Sequence, residues 1–236
     1  MGNFNYLLEL LFPPRCAMCG ELMDAGKEKK CFCARCRAVW EQAKEEPCPN
    51  CRRDARHCVC EPKYNRSRSV DSYRALVFYE SENIKGLIYK IKTGYNAALY
   101  DTMAAELALN VMKYYKLDDN SYLSYPRRSR ASIKEYGVDH GKKLCYTVSK
   151  LTGIPVLDVF GHRRGAEQKS LKAKERGENA AQSYYIREKD KIRVKDKRII
   201  FIDDVVTTGA TTVVCAALAK AAGAKGFCAY SIARTP

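Results

Sequence analysis

The stretch Arg198-Ile-Ile-Phe-Ile-Asp-Asp-Val-Val-Thr-Thr-Gly-Ala-Thr-Thr212 reads as a buried strand, a carboxylate pair, a hydroxyl-rich turn and the first turn of a helix. Ile199 to Ile202 form a short apolar run of the kind shown by a parallel strand covered on both faces. Ala210 to Ala222 carry a helical pattern that Gly223 stops. The turn therefore falls at the carboxyl end of a strand, where the amides of Thr208, Gly209, Ala210 and Thr211 are expected to point outward, unpaired, at the positive end of a helix dipole. Such a turn is built to hold a phosphate, and Gly209 lets the backbone come close to the anion. Asp203 and Asp204 would repel a phosphate that they faced. They are expected instead to accept hydrogen bonds from sugar hydroxyls one group further along the ligand. The ligand so described is a ribose 5-phosphate.

The thirteen residues Ile199 to Thr211 match the phosphoribosyl pyrophosphate (PRPP) signature of type I phosphoribosyltransferases: apolar residues, two acids, three variable positions, then Thr-Gly-x-Thr. The resemblance implies that Asp203 and Asp204, the catalytic pair, hold the ribose 2- and 3-hydroxyls, while Thr207, Thr208, Gly209, Ala210 and Thr211 wrap the 5-phosphate. The bland alternative is a buried strand capped by two acids and followed by an ordinary Thr N-cap. That reading needs both acids, both flanking threonines and the glycine to coincide by chance.

A chain of 236 residues has room for one α/β domain and a small module. Nine of its twelve cysteines fall between Cys16 and Cys60, which places the module at the N-terminal end. Cys145, Cys215 and Cys228 lie in apolar surroundings and read as packing residues. The run Tyr6 to Phe12 is too short to span a membrane, lacks a basic leader and stops at Pro13-Pro14. Neither signal peptide nor anchor is read there, and a reducing, cytoplasmic location is expected. In such a compartment closely spaced cysteines bind metal more often than they pair as disulfides.

Cys16-Ala-Met-Cys19 with Cys33-Ala-Arg-Cys36 has the spacing of a zinc ribbon, and Cys48-Pro-Asn-Cys51 opens a second set that closes with Cys58 and Cys60. One zinc ion is assigned to Cys16, Cys19, Cys33 and Cys36 and another to Cys48, Cys51, Cys58 and Cys60. An interleaved pairing, the first knuckle with the third, is also compatible with the spacing. Cys31 and His57 read as bystanders. Metal would supply the folding energy of a segment too short for a core of its own.

The formal charge of +15 is concentrated: residues 123 to 198 carry 20 basic and 9 acidic side chains, a net +11. A basic band so localised suits a polyanion, either a diphosphate or a nucleic-acid backbone. The interleaved stretch from Glu188 to Arg198 reads as solvated surface.

Along the chain, Arg37 to Glu46 looks helical, and a basic linker follows Pro62. Strands are expected at Ala75–Tyr79, Ser121–Tyr125, Ile154–Phe160 and Phe227–Ile232, with helices at Asn83–Thr93, Ala97–Lys116 and Tyr136–Leu151. Gly161 to Asn179 is a long, polar, basic loop of the length that is usually functional. Ser183–Ile186 and Ile192–Val194 are expected to pair as an antiparallel flap. Alternating strands and helices give an α/β fold with a parallel sheet flanked by helices.

Tandem Cys knuckles, a helix ending in Ile91-Lys-Thr-Gly94, Gln168-x2-Leu171-x4-Arg176-x2-Asn179 and the Asp203-to-Thr211 loop together resemble the ComF family in order and spacing over nearly the whole chain. Those proteins join a double zinc ribbon to a type I phosphoribosyltransferase fold and are associated with natural transformation, in which bacteria take up DNA. The resemblance implies a zinc module at residues 1–62 and a phosphoribosyltransferase-like domain at 63–236. Where that family shows Pro-Val-Pro before basic residues, in the loop that would hold pyrophosphate, this chain has Ser124-Tyr125-Pro126-Arg127-Arg128. Arg127 and Arg128 keep charge there. Where the family shows Arg-Gly-Phe-Asn-Gln, this chain has Tyr136-Gly137-Val138-Asp139-His140, and His140 is expected on a helix surface.

As an enzyme, the chain would displace pyrophosphate from C1 of a ribose by a nitrogen nucleophile, with Mg²⁺ neutralising the diphosphate. Arg163, Arg164, Lys169 and Arg176 of the long loop would close over the leaving group. The competing reading is a non-catalytic module in which the pocket senses a nucleotide while the zinc ribbons and basic band engage single-stranded DNA or a protein of the uptake machinery. No residue stands out as a contact for the acceptor base.

Overall fold

The computed structural model describes residues 13–23, 31–61, 69–93, 97–163 and 182–236. In chain order its elements are α1 (Ala34–Glu45), β1 (Ser72–Phe78), α2 (Glu82–Thr93), α3 (Ala97–Tyr114), β2 (Ser121–Ser124), α4 (Arg130–Tyr136), α5 (His140–Thr152), β3 (Phe160–His162), β4 (Tyr184–Ile186), α6 (Glu188–Val194), β5 (Arg198–Val206), α7 (Ala210–Ala221) and β6 (Gly226–Arg234). Four strands form a sheet in the order β1-β6-β5-β2, with every neighbouring pair parallel. This is the parallel α/β sheet expected from the sequence.

Alternation along β5 sends side chains into two cores. Ile200 and Ile202 face α2, α3 and α5 through Leu87, Met103, Leu107 and Val148, whereas Ile199 and Phe201 face α6 and α7 through Val194, Val213 and Ala216. Coverage on both sides explains why the strand begins as an unbroken apolar run. The sheet's outer edge beyond β2 is only grazed by Val156, which makes one parallel bridge to Leu123. The strand expected at Ile154–Phe160 is reduced to that bridge, since Pro155 has no amide to donate. Phe160 instead opens β3.

Two further expectations give way to local chemistry. The single helix expected from Tyr136 is two: α4 ends at Gly137 with φ 74°, and α5 starts afresh where the Asp139 side chain accepts from the Lys142 amide at 3.1 Å. The flap is a real antiparallel pair, but β4 pairs with β3, and Ile192–Val194 lies in α6. Glu188 and Asp190 in the first turn of α6, with Lys191 and Arg193 in its last, suit the helix dipole and override the β-branched residues. Gly161 permits the β3–β4 pairing, because a Cβ there would lie 2.5 Å from Cζ of Tyr185.

The cysteine-rich segment packs on the sheet domain. Trp40 is fully buried among the residues of the first core and donates its indole N–H to Glu106 of α3 at 2.9 Å. Lys44 and Arg37 reach the same carboxylate at 3.2 and 3.5 Å. On the other side, the Ala75 amide of β1 donates to the Ala55 carbonyl at 3.2 Å, so the segment covers the sheet's exposed edge strand. No helix among the described residues is long and apolar enough to cross a membrane.

Candidate functional site

β5 runs four residues beyond its apolar stretch, so Asp203 and Asp204 are the end of a strand rather than part of a loop. Each carboxylate first fixes its own backbone: Asp203 Oδ1 accepts from the Asp204 amide at 2.8 Å, and Asp204 Oδ1 from the Val205 amide at 2.7 Å. The second oxygen of Asp204 meets Arg128 at 3.3 Å, with both side chains largely covered. Arg127 pairs with Asp158 at 3.4 Å. The Arg128 amide in turn donates to Asp139, the residue that caps α5, so the Pro126–Arg128 corner is tied to a helix N-terminus and to the acid pair. Sequence reading placed Arg127 and Arg128 beside the ligand's diphosphate; the fold sets them against carboxylates.

After Val206 the chain turns through Thr207, Thr208 and Gly209 into α7. Gly209 has φ 78°, in the left-handed region, and offers no side-chain cap to the helix. The Ala210 amide donates to Thr208 Oγ1 at 3.4 Å, so of the four amides expected to be unpaired one is already engaged within the turn. Thr207 is exposed, Thr208 and Thr211 are half-buried, and Gly209 and Ala210 are buried. The turn thus presents two threonines above a buried glycine at a helix N-terminus, the setting in which an oxyanion is held by backbone amides.

Tyr184 was not assigned a role from sequence. Burial pushes its phenol well above the ordinary tyrosine range, the negative charge of Asp203 pushes it further, and a hydrogen bond with Thr211 opposes them. Strand β4 thus carries an aromatic residue onto the acid pair and the turn. The available signal was its position in the expected flap strand. His140 is also placed differently: it is buried, hydrogen-bonds the Tyr100 hydroxyl through Nδ1 and stacks on that ring, in the interior and not on a helix surface.

Arg163 is exposed, lies over the Tyr185 ring at 5.9 Å and lines an open cleft of about 660 Å³ with Arg130, His162, Ile186, Arg187 and Glu188. The acid pair and the turn do not line that cleft. Arg164, Lys169 and Arg176, together with most of the long basic loop, lie outside the described residues.

The cysteines form two groups of four, Cys16, Cys19, Cys33 and Cys36 and then Cys48, Cys51, Cys58 and Cys60, with the sulfurs of each group all within 4.8 Å of one another. The pairing is consecutive and not interleaved, and Cys31 lies buried outside both groups. A tetrahedral zinc with Zn–S of about 2.3 Å requires sulfurs roughly 3.8 Å apart. Cys19 and Cys33 are 3.9 Å apart, Cys48 and Cys60 3.9 Å, and Cys51 and Cys58 3.6 Å, so both groups fit zinc. The knuckles repeat one backbone design. Gly20 and Arg52 both take positive φ and donate to the carbonyls of Cys16 and Cys48, while the Cys16 and Cys48 amides donate to the Glu21 and Arg53 carbonyls. Burial raises the Cys16 thiol, but amide donors from Cys19, Cys33 and Met18 outweigh it and bring the thiol to about 6. Amides of Arg53 and Val59 do the same for Cys51, also to about 6. In the same groups burial pushes Cys36 and Cys58 up to about 12, so without metal each group holds both lowered and raised thiols, and metal binding would take the remaining protons off.

No protein-family model matches the chain. Among curated proteins it is similar to "Competence protein ComFC" of Streptococcus pneumoniae (strain ATCC BAA-255 / R6), 24% identical over 232 residues that span 93% of this chain and all of that one. Among solved structures it is similar to the glutamine PRPP amidotransferase of B. subtilis complexed with ADP and GMP, with a TM-score of 0.38 and 13% identity. That match covers 58% of this chain and 29% of the amidotransferase. A purine phosphoribosyltransferase from Pyrococcus horikoshii Ot3 matches with a TM-score of 0.35 and 19% identity over 58% of this chain and 82% of its own. The likeness to ComFC thus runs through most of the chain, cysteine-rich segment and sheet domain alike, at 24% identity.

Proposed function

We propose that this protein binds PRPP, or a related ribose phosphate, at the Asp203–Thr211 turn and, like the competence protein it resembles, supports DNA uptake. The observation that carries the reading is the acid pair near the carboxyl end of β5, followed five residues after Asp204 by a left-handed glycine at the start of α7. Acids for ribose hydroxyls and amides for a 5-phosphate are thereby held at one end of a rigid sheet.

In the enzymatic form of the proposal, an acceptor nitrogen attacks C1 of the ribose as the C1–O bond to pyrophosphate breaks, and the electron pair leaves with pyrophosphate. Positive charge develops at the ring, the electronic problem also met in glycoside hydrolysis. Mg²⁺ bound with the diphosphate supplies charge neutralisation. Asp203 and Asp204 orient the ribose, Thr207, Thr208, Gly209, Ala210 and Thr211 hold its phosphate, and Tyr184 shields the sugar from water. Arg127 and Arg128, with Arg164, Lys169 and Arg176, attend the leaving group, whereas Arg163 faces a separate cleft.

One observation favours the non-catalytic reading. Arg127 and Arg128 are held by Asp158 and Asp204, so charge at the pyrophosphate position is partly neutralised from within. In that reading the pocket senses a nucleotide or PRPP, and the basic band and cysteine centres meet single-stranded DNA or a protein partner.

The test is thermal stabilisation by PRPP with Mg²⁺. At about 100 times its dissociation constant the ligand adds about 2.7 kcal/mol. The double variant Asp203→Asn/Asp204→Asn loses this shift, and an unchanged shift removes the ribose assignment. Pyrophosphate release in the presence of a nitrogenous base then separates enzyme from sensor.

A further inference from the structure

The last strand ends in a buried cation. Arg234 of β6 is 1% exposed. Its Nη2 donates to the Cys60 carbonyl at 2.6 Å and its Nε faces the Thr235 carbonyl at 3.5 Å. Nη1 is buried with no acceptor on the protein. These contacts are carbonyls, and among the described residues no carboxylate forms an ion pair with this guanidinium. A buried charge without a counter-charge is costly, so an anion close by stabilises it. The phenol of Tyr73 cannot serve. It too is buried without a partner, and burial holds its pKa above the ordinary range, so it stays neutral.

Glu61, next to Cys60, is exposed and makes no ion pair with Arg234, whereas the second cysteine centre is in direct contact with it. Cys60 supplies the carbonyl that Arg234 grips, and Phe78, in register with Arg234 on the neighbouring strand, packs in one buried cluster with Cys48 and Cys58. Four thiolates around a divalent zinc carry a net charge of −2. We propose that Arg234 is the counter-cation of the Cys48–Cys51–Cys58–Cys60 centre, its guanidinium held in the interior to balance the thiolates that grip the metal. The first centre is built otherwise. The arginines that flank it are not buried: Arg35 lies on the surface and pairs with Glu21 at 2.8 Å, Arg15 is exposed on the Gly20 carbonyl, and Arg37 is partly exposed and pairs with Glu41 and Glu106. The effect of Arg234 therefore falls on one metal ion of two.

The test uses the zinc-loaded full chain, with zinc release to a chromogenic chelator measured for wild type, Arg234→Lys, Arg234→Gln and Arg234→Met. In the Gln and Met variants one zinc per chain is expected to be held about 10- to 100-fold more weakly, the usual effect of removing an outer-shell partner, while the other leaves as in wild type. Lys, which keeps the charge, retains both ions. In the cobalt-substituted protein the thiolate-to-cobalt charge-transfer band of one ion shifts in Gln. Wild-type retention in Gln overturns the proposal, because a neutral donor to Cys60 would then suffice. Equal loosening of both ions also overturns it, as a general loss of fold. If Gln and Met do not fold, Lys decides: selective loss of one zinc with the charge still present sinks the counter-cation role.

Discussion

Asp204 shows how much of a site one residue's neighbours decide. The two acids, the threonines and Gly209 were legible in the sequence because strand, carboxylates and turn are consecutive and their spacing is local. Arg128 against Asp204 was not legible, since the pair joins residues 76 apart and exists only once β2 and β5 are neighbours. Tyr184 escaped notice for the same reason. A charge cluster that local spacing does encode lies at Asp190, which is 4% exposed and takes Arg187 at 2.5 Å and Arg193 at 3.0 Å, each three residues away. Burial raises the Asp190 carboxyl, but hydrogen bonds from Arg193 and Arg187 outweigh it and hold it below the usual carboxylate value. A depressed folded pKa means stability that is fully present above the unfolded value and lost as pH falls through the folded one. Asp190→Asn should therefore lower the melting temperature at neutral pH by the equivalent of about 1 kcal/mol, the arginines being half exposed. The gap to wild type should close as pH falls below the carboxylate range, and a gap constant down to strong acid would show that the charge is not what Asp190 contributes.

Elements were read well where the apolar period was long and poorly where it was short. The helices at 82–93 and 97–114 and the strands at 72–78 and 226–234 lie within a few residues of expectation. Seven-residue α6 was mistaken for a strand, because Ile192 and Val194 favour β structure while its ion pairs and dipole complement favour helix. The break between α4 and α5 turned on a single left-handed glycine and a single capping aspartate. Helix α1 shows what an element can do beyond its own period. It delivers Trp40 into the core of the sheet domain and anchors the indole N–H on Glu106, whose carboxylate Lys44 and Arg37 also share. Trp40→Ala should destabilise the protein by about 3–5 kcal/mol in denaturant titration. Trp40→Phe, which keeps an aromatic ring and leaves Glu106 without its indole donor, should cost about 1–2 kcal/mol. Equal losses in the two variants would mean that the hydrogen bond, and not the packing, docks α1.

At the scale of the molecule, composition suggested two parts, and we keep residues 1–62 and 63–236 as the proposed division. Contacts between them tie their stabilities together. The cysteine segment closes the edge of β1 through Ala55 and Ala75, seats Trp40 in the first core and is gripped by Arg234, which stands in register with Val206 just before the phosphate turn. Metal that folds the segment therefore also completes the sheet: an uncovered β1 exposes a strand edge, and an unbalanced Arg234 leaves a buried charge at the strand end. Zinc removal should then lower the stability of the whole chain. Trp40 is the only tryptophan, so its fluorescence reports on the cysteine segment while far-ultraviolet circular dichroism reports mostly on the helices and strands of the sheet domain. With about two zinc ions bound, the two signals should melt together. After chelation both should shift to lower temperature, still coincident or nearly so. A tryptophan transition that moves on chelation while the circular dichroism transition stays in place would show that the parts fold independently, and that the contacts across residues 62 and 63 position the segment without stabilising the sheet.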